Sequence, residues 1–189
     1  MIFAAVLAAG SSSRFGSPKQ LAVIDGEPLV LRVAKAAKEA GCDPVGVVVG
    51  AHQEAVIDAL GPLPDVKILK NSLWESGLAS SISCAARFAM KRPQLRGLLL
   101  LTVDQWRLES RLLEQMLRRF SGNSATIVAA RYAGTVGIPA LFARQQLTAL
   151  SSLTGDVGAK KIILENGEGT VCVDWPQGAE DCDLHHPEG

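Results

Sequence analysis

Apolar residues along this chain gather into short runs, separated by stretches with helical spacing. Ile2–Ala8, Val45–Val49, Leu98–Val103 and Ala125–Ala130 are almost wholly apolar, the pattern of strands buried on both faces. Val66–Leu69 and Thr170–Val173 are weaker strand candidates. Between the runs, apolar positions recur at helical intervals. Pro28–Ala40 opens on a proline and stops at Gly41, the usual asymmetry of helix ends. His52–Leu60, Leu78–Met90, Glu109–Phe120, Leu141–Leu150 and Asp156–Glu165 follow as further helices.

Strands alternating with helices predict an α/β fold: a three-layer domain around a mostly parallel, Rossmann-like central sheet. No repeat, low-complexity segment or linker interrupts the pattern, so residues 1–189 read as a single domain. The residues from 175 to 189 read as an irregular tail. In such sheets, ligands sit outside the carboxyl ends of the strands. A Gly/Ser/Arg loop follows the first run, Gly50 the second, Asn71 the Val66–Leu69 run, and Asp104 the run Leu98–Val103. The polar candidates therefore converge on one edge.

Composition narrows the function. Lys+Arg and Asp+Glu are equal at 19 each, which gives no electrostatic reason to expect nucleic acid or an anionic membrane. Aromatic residues are scarce at 5%, so base-stacking platforms are not expected, while 48% hydrophobic residues suffice for a real core. A small-molecule ligand is the default. No apolar stretch reaches bilayer-spanning length. "MIFAAVLAAG" imitates a signal peptide but lacks a basic n-region, so it reads as a buried first strand. Cys42, Cys84 and Cys172 lie in or beside apolar segments with no CxxC pairing, as reduced thiols of a cytoplasmic protein do. Cys182, His185 and His186 lack a second ligand cluster at zinc-like spacing and read as a polar tail.

The loop "LAAGSSSRFGSPKQ" looks built for phosphate. Gly10 permits a tight turn or close backbone approach, and the N–H groups after it can cradle an anion. Arg14 and Lys19 can neutralise phosphate oxygens. The spacing from Gly10 through Gly16 to Lys19 fits neither a P-loop, where Ser or Thr follows the lysine, nor a dinucleotide fingerprint. ATPase and dehydrogenase readings are therefore unsupported.

Other positions carry two readings each. Asp104 ends an apolar run, where a carboxylate needs a partner: a magnesium ion on nucleotide phosphates, or the N-terminus of a following helix. Asp174 ends Thr170–Val173 and is a candidate second carboxylate, with Asp181 as its rival. Ser81 stands in the first turn of Leu78–Met90, where helix N–H groups favour an anion, or simply caps that helix. Trp74 either flanks a heteroaromatic substrate or fills the core. Gly137 and Pro139 read as a turn beside substrate or a plain surface turn. Asp156 and Lys160 either contact substrate phosphate or begin the final helix, with Asp156 as its cap.

"LAAGSSSRFGSPK" resembles the LAAG-x-S-x-R-[FM]-G-x-x-K motif of nucleotidyltransferases of the molybdenum-cofactor cytidylyltransferase type, related to the guanylyltransferases of the same cofactor. "NSLWESGLASSI", "LLLLTVDQ", "GIPALF" and "GDVGAK" resemble further segments in the same order, and "VDWPQGAED" does so loosely. The resemblance implies a fold of the nucleotide-diphospho-sugar transferase type. It also implies magnesium-dependent transfer of CMP from CTP to the terminal phosphate of a molybdopterin-type cofactor, with release of pyrophosphate. It assigns Leu7, Ala8, Ala9, Gly10, Ser11, Ser12, Arg14, Lys19, Gly77, Ser81 and Asp104 to the nucleotide. Asn71, Trp74, Ser81, Gly137, Pro139, Asp156 and Lys160 go to the substrate, and Asp104 with Asp174 to Mg²⁺. Arg14, Lys19 and Asp104 carry catalysis by positioning and charge neutralisation. Ala9 favours CTP, since the guanylyltransferases usually read LAGG.

Three positions depart from the family pattern: Trp106 where Pro usually stands, Ile138 where His is common, and Lys160 in place of Arg. All three touch the acceptor side. GTP as donor, a sugar or polyol phosphate as acceptor, or a non-catalytic accessory protein that serves a molybdoenzyme partner therefore stay open.

Overall fold

A computed structural model describes residues 1–11, 18–61, 63–122 and 125–180. The central sheet has seven strands: β1 (Ile2–Ala8), β4 (Val45–Val49), β5 (Lys67–Lys70), β6 (Gly97–Thr102), β7 (Ile127–Tyr132), β8 (Thr135–Ala143) and β9 (Thr170–Asp174). A two-residue pair, β2 (Val23–Ile24) and β3 (Glu27–Pro28), stands apart as a small antiparallel ribbon. The helices are α1 (Leu29–Glu39), α2 (Gln53–Ala59), α3 (Leu78–Met90), α4 (Ser110–Gly122), α5 (Leu147–Ser151) and α6 (Lys160–Glu165).

The period of two along β1 explains the layers. Phe3, Ala5 and Leu7 join one buried cluster with Ile82, Ala85 and Ala89 of α3, Leu147 and Leu150 of α5, and Ile162 and Ile163 of α6. Ala4, Val6 and Ala8 face the other way, into a cluster with Val30 and Val33 of α1, Val56 of α2, and Leu113 and Met116 of α4. A strand covered on both faces has no solvent side, so its sequence is an unbroken apolar run. Helix α1 is closed by Gly41, two residues past its last turn, whose φ of +89° favours glycine.

The sheet order is β5-β4-β1-β6-β8-β7-β9. β1 pairs in parallel with β4 and β6, β4 with β5, and β7 with β9, while β8 runs antiparallel between β6 and β7. The sheet is thus mostly parallel, as expected. The antiparallel strand was not anticipated.

The helix expected over Leu141–Leu150 is a correction. Its first three residues belong to β8, where Leu141 pairs with Leu99 and Val128; Arg144–Gln146 forms a 3₁₀ turn, and only Leu147–Ser151 is α-helical. Sheet pairing on both sides overrides the local helical spacing. Gly137 and Pro139, expected in a turn, also lie within β8. Ala129 pairs with Ala140 and Ala130 with Gly137, so Ile138 and Pro139 form a bulge. A bulge suits proline, which has no N–H for the ladder. The tail is corrected as well. Trp175 is buried, its N–H donates to the Arg131 carbonyl, and its ring meets Tyr132 edge-on at 5.6 Å. A 3₁₀ turn follows at Pro176–Glu180. Asp181, Cys182, His185 and His186 lie outside the described residues.

Candidate functional site

Register sets the site. Leu7 pairs with Thr102, so the loop after β1 and the turn holding Asp104 leave adjacent strands at the same edge. Gln20, enclosed in the 3₁₀ turn Lys19–Leu21, donates its side-chain amide to the Gly10 carbonyl at 2.9 Å and the Ala8 carbonyl at 3.4 Å. That bridge ties the far end of the loop, next to Lys19, back to its start. Among the described residues, nothing fills the space where a side chain on Gly10 would go, as a backbone left accessible to a ligand requires. Ser11 follows it. Ser12 and Arg14 lie outside the described residues.

The neighbouring wall is closely packed. A Cβ on Gly50 would lie 2.5 Å from the Trp74 Cβ and 2.9 Å from the Ala9 carbonyl oxygen, so that position requires glycine. Ala9 is buried, and its carbonyl accepts from the Ala51 N–H at 3.0 Å. Trp74 is half-buried: it packs on the cluster that contains Ala9 and also lines a cavity of about 700 Å³ with Gly50, His52 and Asn71. Trp74 thus packs on the core and faces a cavity at the same time.

Asn71 is a clasp. Its Nδ2 donates to the hydroxyls of Ser80 at 2.8 Å and Ser81 at 3.1 Å, and its Oδ1 accepts from the Leu73 N–H. Ser81 is buried and engaged by Asn71. Asp156 caps a helix, but not the expected one: its carboxylate faces the Leu78 N–H of α3 at 3.4 Å, while α6 begins without a side-chain cap. The positive end of α3 thus already has an anion beside it. Gly77, with φ of +105°, sits so close to this loop that a Cβ would be 2.6 Å from the Gly155 carbonyl oxygen.

Asp104 lines a different cavity of about 500 Å³, together with Gln105, Tyr132, Gly137, Ile138 and Lys160. Two of the three departures, Ile138 and Lys160, therefore meet in the Asp104 cavity. Asp104 accepts the Trp106 N–H through its main-chain oxygen, not its carboxylate. Gln20 and Gln105 close the segments "LAAGSSSRFGSPKQ" and "LLLLTVDQ", but no sequence feature assigned either a role, and Tyr132 lies in none of the motif segments.

The family description "MobA-like NTP transferase domain" matches residues 4–170. The chain belongs to that family. No curated protein sequence is a match. Among solved structures, this MobA-like chain resembles Rv0371c from Mycobacterium tuberculosis H37Rv at 27% identity, over 93% of this chain and 88% of that one, with a TM-score of 0.78. A complex of Rv0371c with manganese is similar at 27% identity over the same shares, with a TM-score of 0.72. Molybdopterin-guanine dinucleotide biosynthesis protein A from Archaeoglobus fulgidus shares the fold at 16% identity, over 93% and 83% of the chains, with a TM-score of 0.61.

In this MobA-like transferase the structure does not gather the two expected metal carboxylates. Asp174 accepts from the Arg131 guanidinium at 2.6 Å and lines cavities beside α4 rather than that of Asp104. The hydrogen bond and charge of Arg131 lower the Asp174 pKa below the ordinary carboxylate range. Among the described residues, no group of three or more His, Cys, Asp or Glu is placed to hold a metal. No helix among them is long and apolar enough to cross a membrane.

Proposed function

We propose that this MobA-like nucleotidyltransferase moves CMP from CTP to the terminal phosphate of a molybdopterin-type acceptor. The observation that supports the reading is the Leu7–Thr102 register, by which the chain leaves β1 toward Gly10 at the same sheet edge where it leaves β6 toward Asp104. An acceptor phosphate oxygen attacks the α-phosphorus. The bond from that phosphorus to the oxygen bridging to the β-phosphate breaks, and pyrophosphate leaves. The attacking phosphate is already anionic at neutral pH, so no strong general base is required. The chain's own task is to position the reactants and balance charge.

Lys19 and Arg14 neutralise phosphate oxygens, and Lys160 meets the acceptor phosphate in the Asp104 cavity. The donor set fits a magnesium ion held chiefly by phosphates, since such ions take one or two carboxylates and keep the remaining positions for phosphate and water. Asp104 would supply that carboxylate, and the cation would offset charge on the phosphates. Asp174 would join only by exchanging Arg131 for the cation. CTP is favoured by Ala9.

A second reading keeps the chemistry and replaces the acceptor with a sugar or polyol phosphate. It is favoured by Ile138 and Lys160 lining the Asp104 cavity. The test is pyrophosphate release with CTP, GTP or ATP against pterin, sugar and polyol phosphates, with magnesium supplied or chelated. CTP with the pterin acceptor supports the first reading, and a sugar or polyol phosphate the second. Tight binding of the pterin without release would point to an accessory protein. Lys19→Ala and Asp104→Ala are each expected to lower turnover by several orders of magnitude without unfolding; near-normal turnover removes that residue from the mechanism.

A further inference from the structure

Asp104 and Gln105 leave β6 side by side, and Gln105 is held unusually. It is 4% exposed, and its Nε2 donates to the Ile138 carbonyl oxygen. The Tyr132 hydroxyl donates to the same carbonyl at 2.9 Å. A carbonyl can only accept, so Ile138 fixes which end of the amide faces it: the nitrogen turns toward Ile138 and Oε1 turns away. Oε1 is enclosed, and no hydrogen bond reaches it from the described residues. Buried acceptors without partners are rare in native proteins, because they forgo their bonds to water and receive nothing in return. Yet Gln105 lines the cavity that also contains Asp104 and Lys160, where a ligand can supply the missing donor.

We propose that Gln105 determines acceptor specificity: its Oε1 accepts a hydrogen bond from an N–H or O–H group on the acceptor, at a point removed from the reacting phosphate. This rests on the nucleotidyl-transfer reading and sharpens it. The acceptor is a phosphomonoester that carries a hydrogen-bond donor on its non-phosphate portion. The Ile138 carbonyl bulge, clamped by Gln105 and Tyr132, holds the amide in the orientation that reads this donor. An acceptor without it leaves Oε1 buried and unpaired, the situation in which polar sites reject analogues most strongly.

The experiment uses the full chain and the phosphomonoester acceptor that supports the most pyrophosphate release. Each N–H or O–H group of that acceptor outside the phosphate is removed or methylated in turn, and kcat/KM is measured for wild type and for Gln105→Met. In wild type, loss of one particular group is expected to lower kcat/KM by roughly tenfold or more. In Gln105→Met, the KM for the parent acceptor rises, the KM for nucleotide stays unchanged, and discrimination at that one group falls to near unity. Wild type alone tests the idea should the variant fold poorly, since no discrimination at any group overturns it. That is also the result expected if an internal water serves Oε1. Discrimination that persists in Gln105→Met overturns it as well. Absence of pyrophosphate release with every acceptor instead overturns the transfer reading beneath it, and is distinguishable for that reason.

Discussion

Gln20 donates its side-chain amide to the carbonyl oxygen of Gly10 at 2.9 Å from a position only 1% exposed. The residue next to Lys19 thus fastens the start of the loop from below. Gln20→Leu keeps the bulk and removes the amide's bonds to the Gly10 and Ala8 carbonyls. It is expected to lower the free energy of unfolding by about 1 kcal/mol and to raise the KM for nucleotide. Urea unfolding and initial-rate kinetics check both; an unchanged unfolding midpoint would remove the role given to Gln20.

The Asn71 side chain makes three hydrogen bonds: two join the turn after β5 to the first turns of α3, and one, from the Leu73 N–H, closes that turn on itself. Asn71→Ala is expected to destabilise by about 2–3 kcal/mol, because it leaves the Leu73 N–H and two hydroxyls without their partner. Asn71→Asp keeps the acceptor for Leu73 and loses the donor to Ser80 and Ser81. Its effect is expected to be smaller. Equal losses in thermal unfolding of the two variants would mean that the Ser80 and Ser81 contacts dominate the clasp.

Two glycines are expected to respond in opposite ways. At Gly77, φ is +105° and a Cβ would collide with the Gly155 backbone, so Gly77→Ala is expected to cost about 2 kcal/mol or more. At Gly10, nothing among the described residues lies within 4 Å of an added Cβ, and Gly10→Ala is expected to stay within about 0.5 kcal/mol of wild type. Loss of nucleotide affinity in Gly10→Ala therefore reports on the ligand and not on folding. Calorimetric unfolding together with nucleotide titration separates the two.

Burial pushes the Cys42 thiol up to about 12. Unfolding returns it to an ordinary value, so in alkaline solution the unfolded chain loses a proton that the folded chain keeps. Stability from this group is complete below about pH 8.5 and is lost as pH rises toward about 12, by up to about 1.4 kcal/mol per pH unit. Cys42→Ala is expected to flatten that part of the profile. Denaturant unfolding between pH 8 and pH 10 measures it, and an identical slope in the variant rules Cys42 out as its source.

The left half of the sheet was legible because β1, β4 and β6 are buried on both faces, and their unbroken apolar runs have no other economical explanation. The right half was less so. Leu141 and Phe142 share helical spacing with Leu147 and Leu150, and only pairing with Leu99 and Leu98 makes them strand. Pro139 suggested a turn because a proline inside a paired strand needs a bulge, and a bulge has no local sequence signal. The convergence of Gly10, Asn71 and Asp104 on one edge followed from strand order along the chain. The partners of Asp156 and Asp174 did not, since Leu78 and Arg131 are far from them in sequence.

The turn between β7 and β8 consists of Ala133 and Gly134, both with positive φ, the geometry favoured in two-residue hairpins. It stands over the Asp104 cavity, since Tyr132, Ala133 and Thr135 all line that space. Hairpin tips accept insertions readily, because the strands below them hold their register regardless. A longer or shorter turn here would therefore reshape the rim of the Asp104 cavity while the strands beneath it keep their pairing.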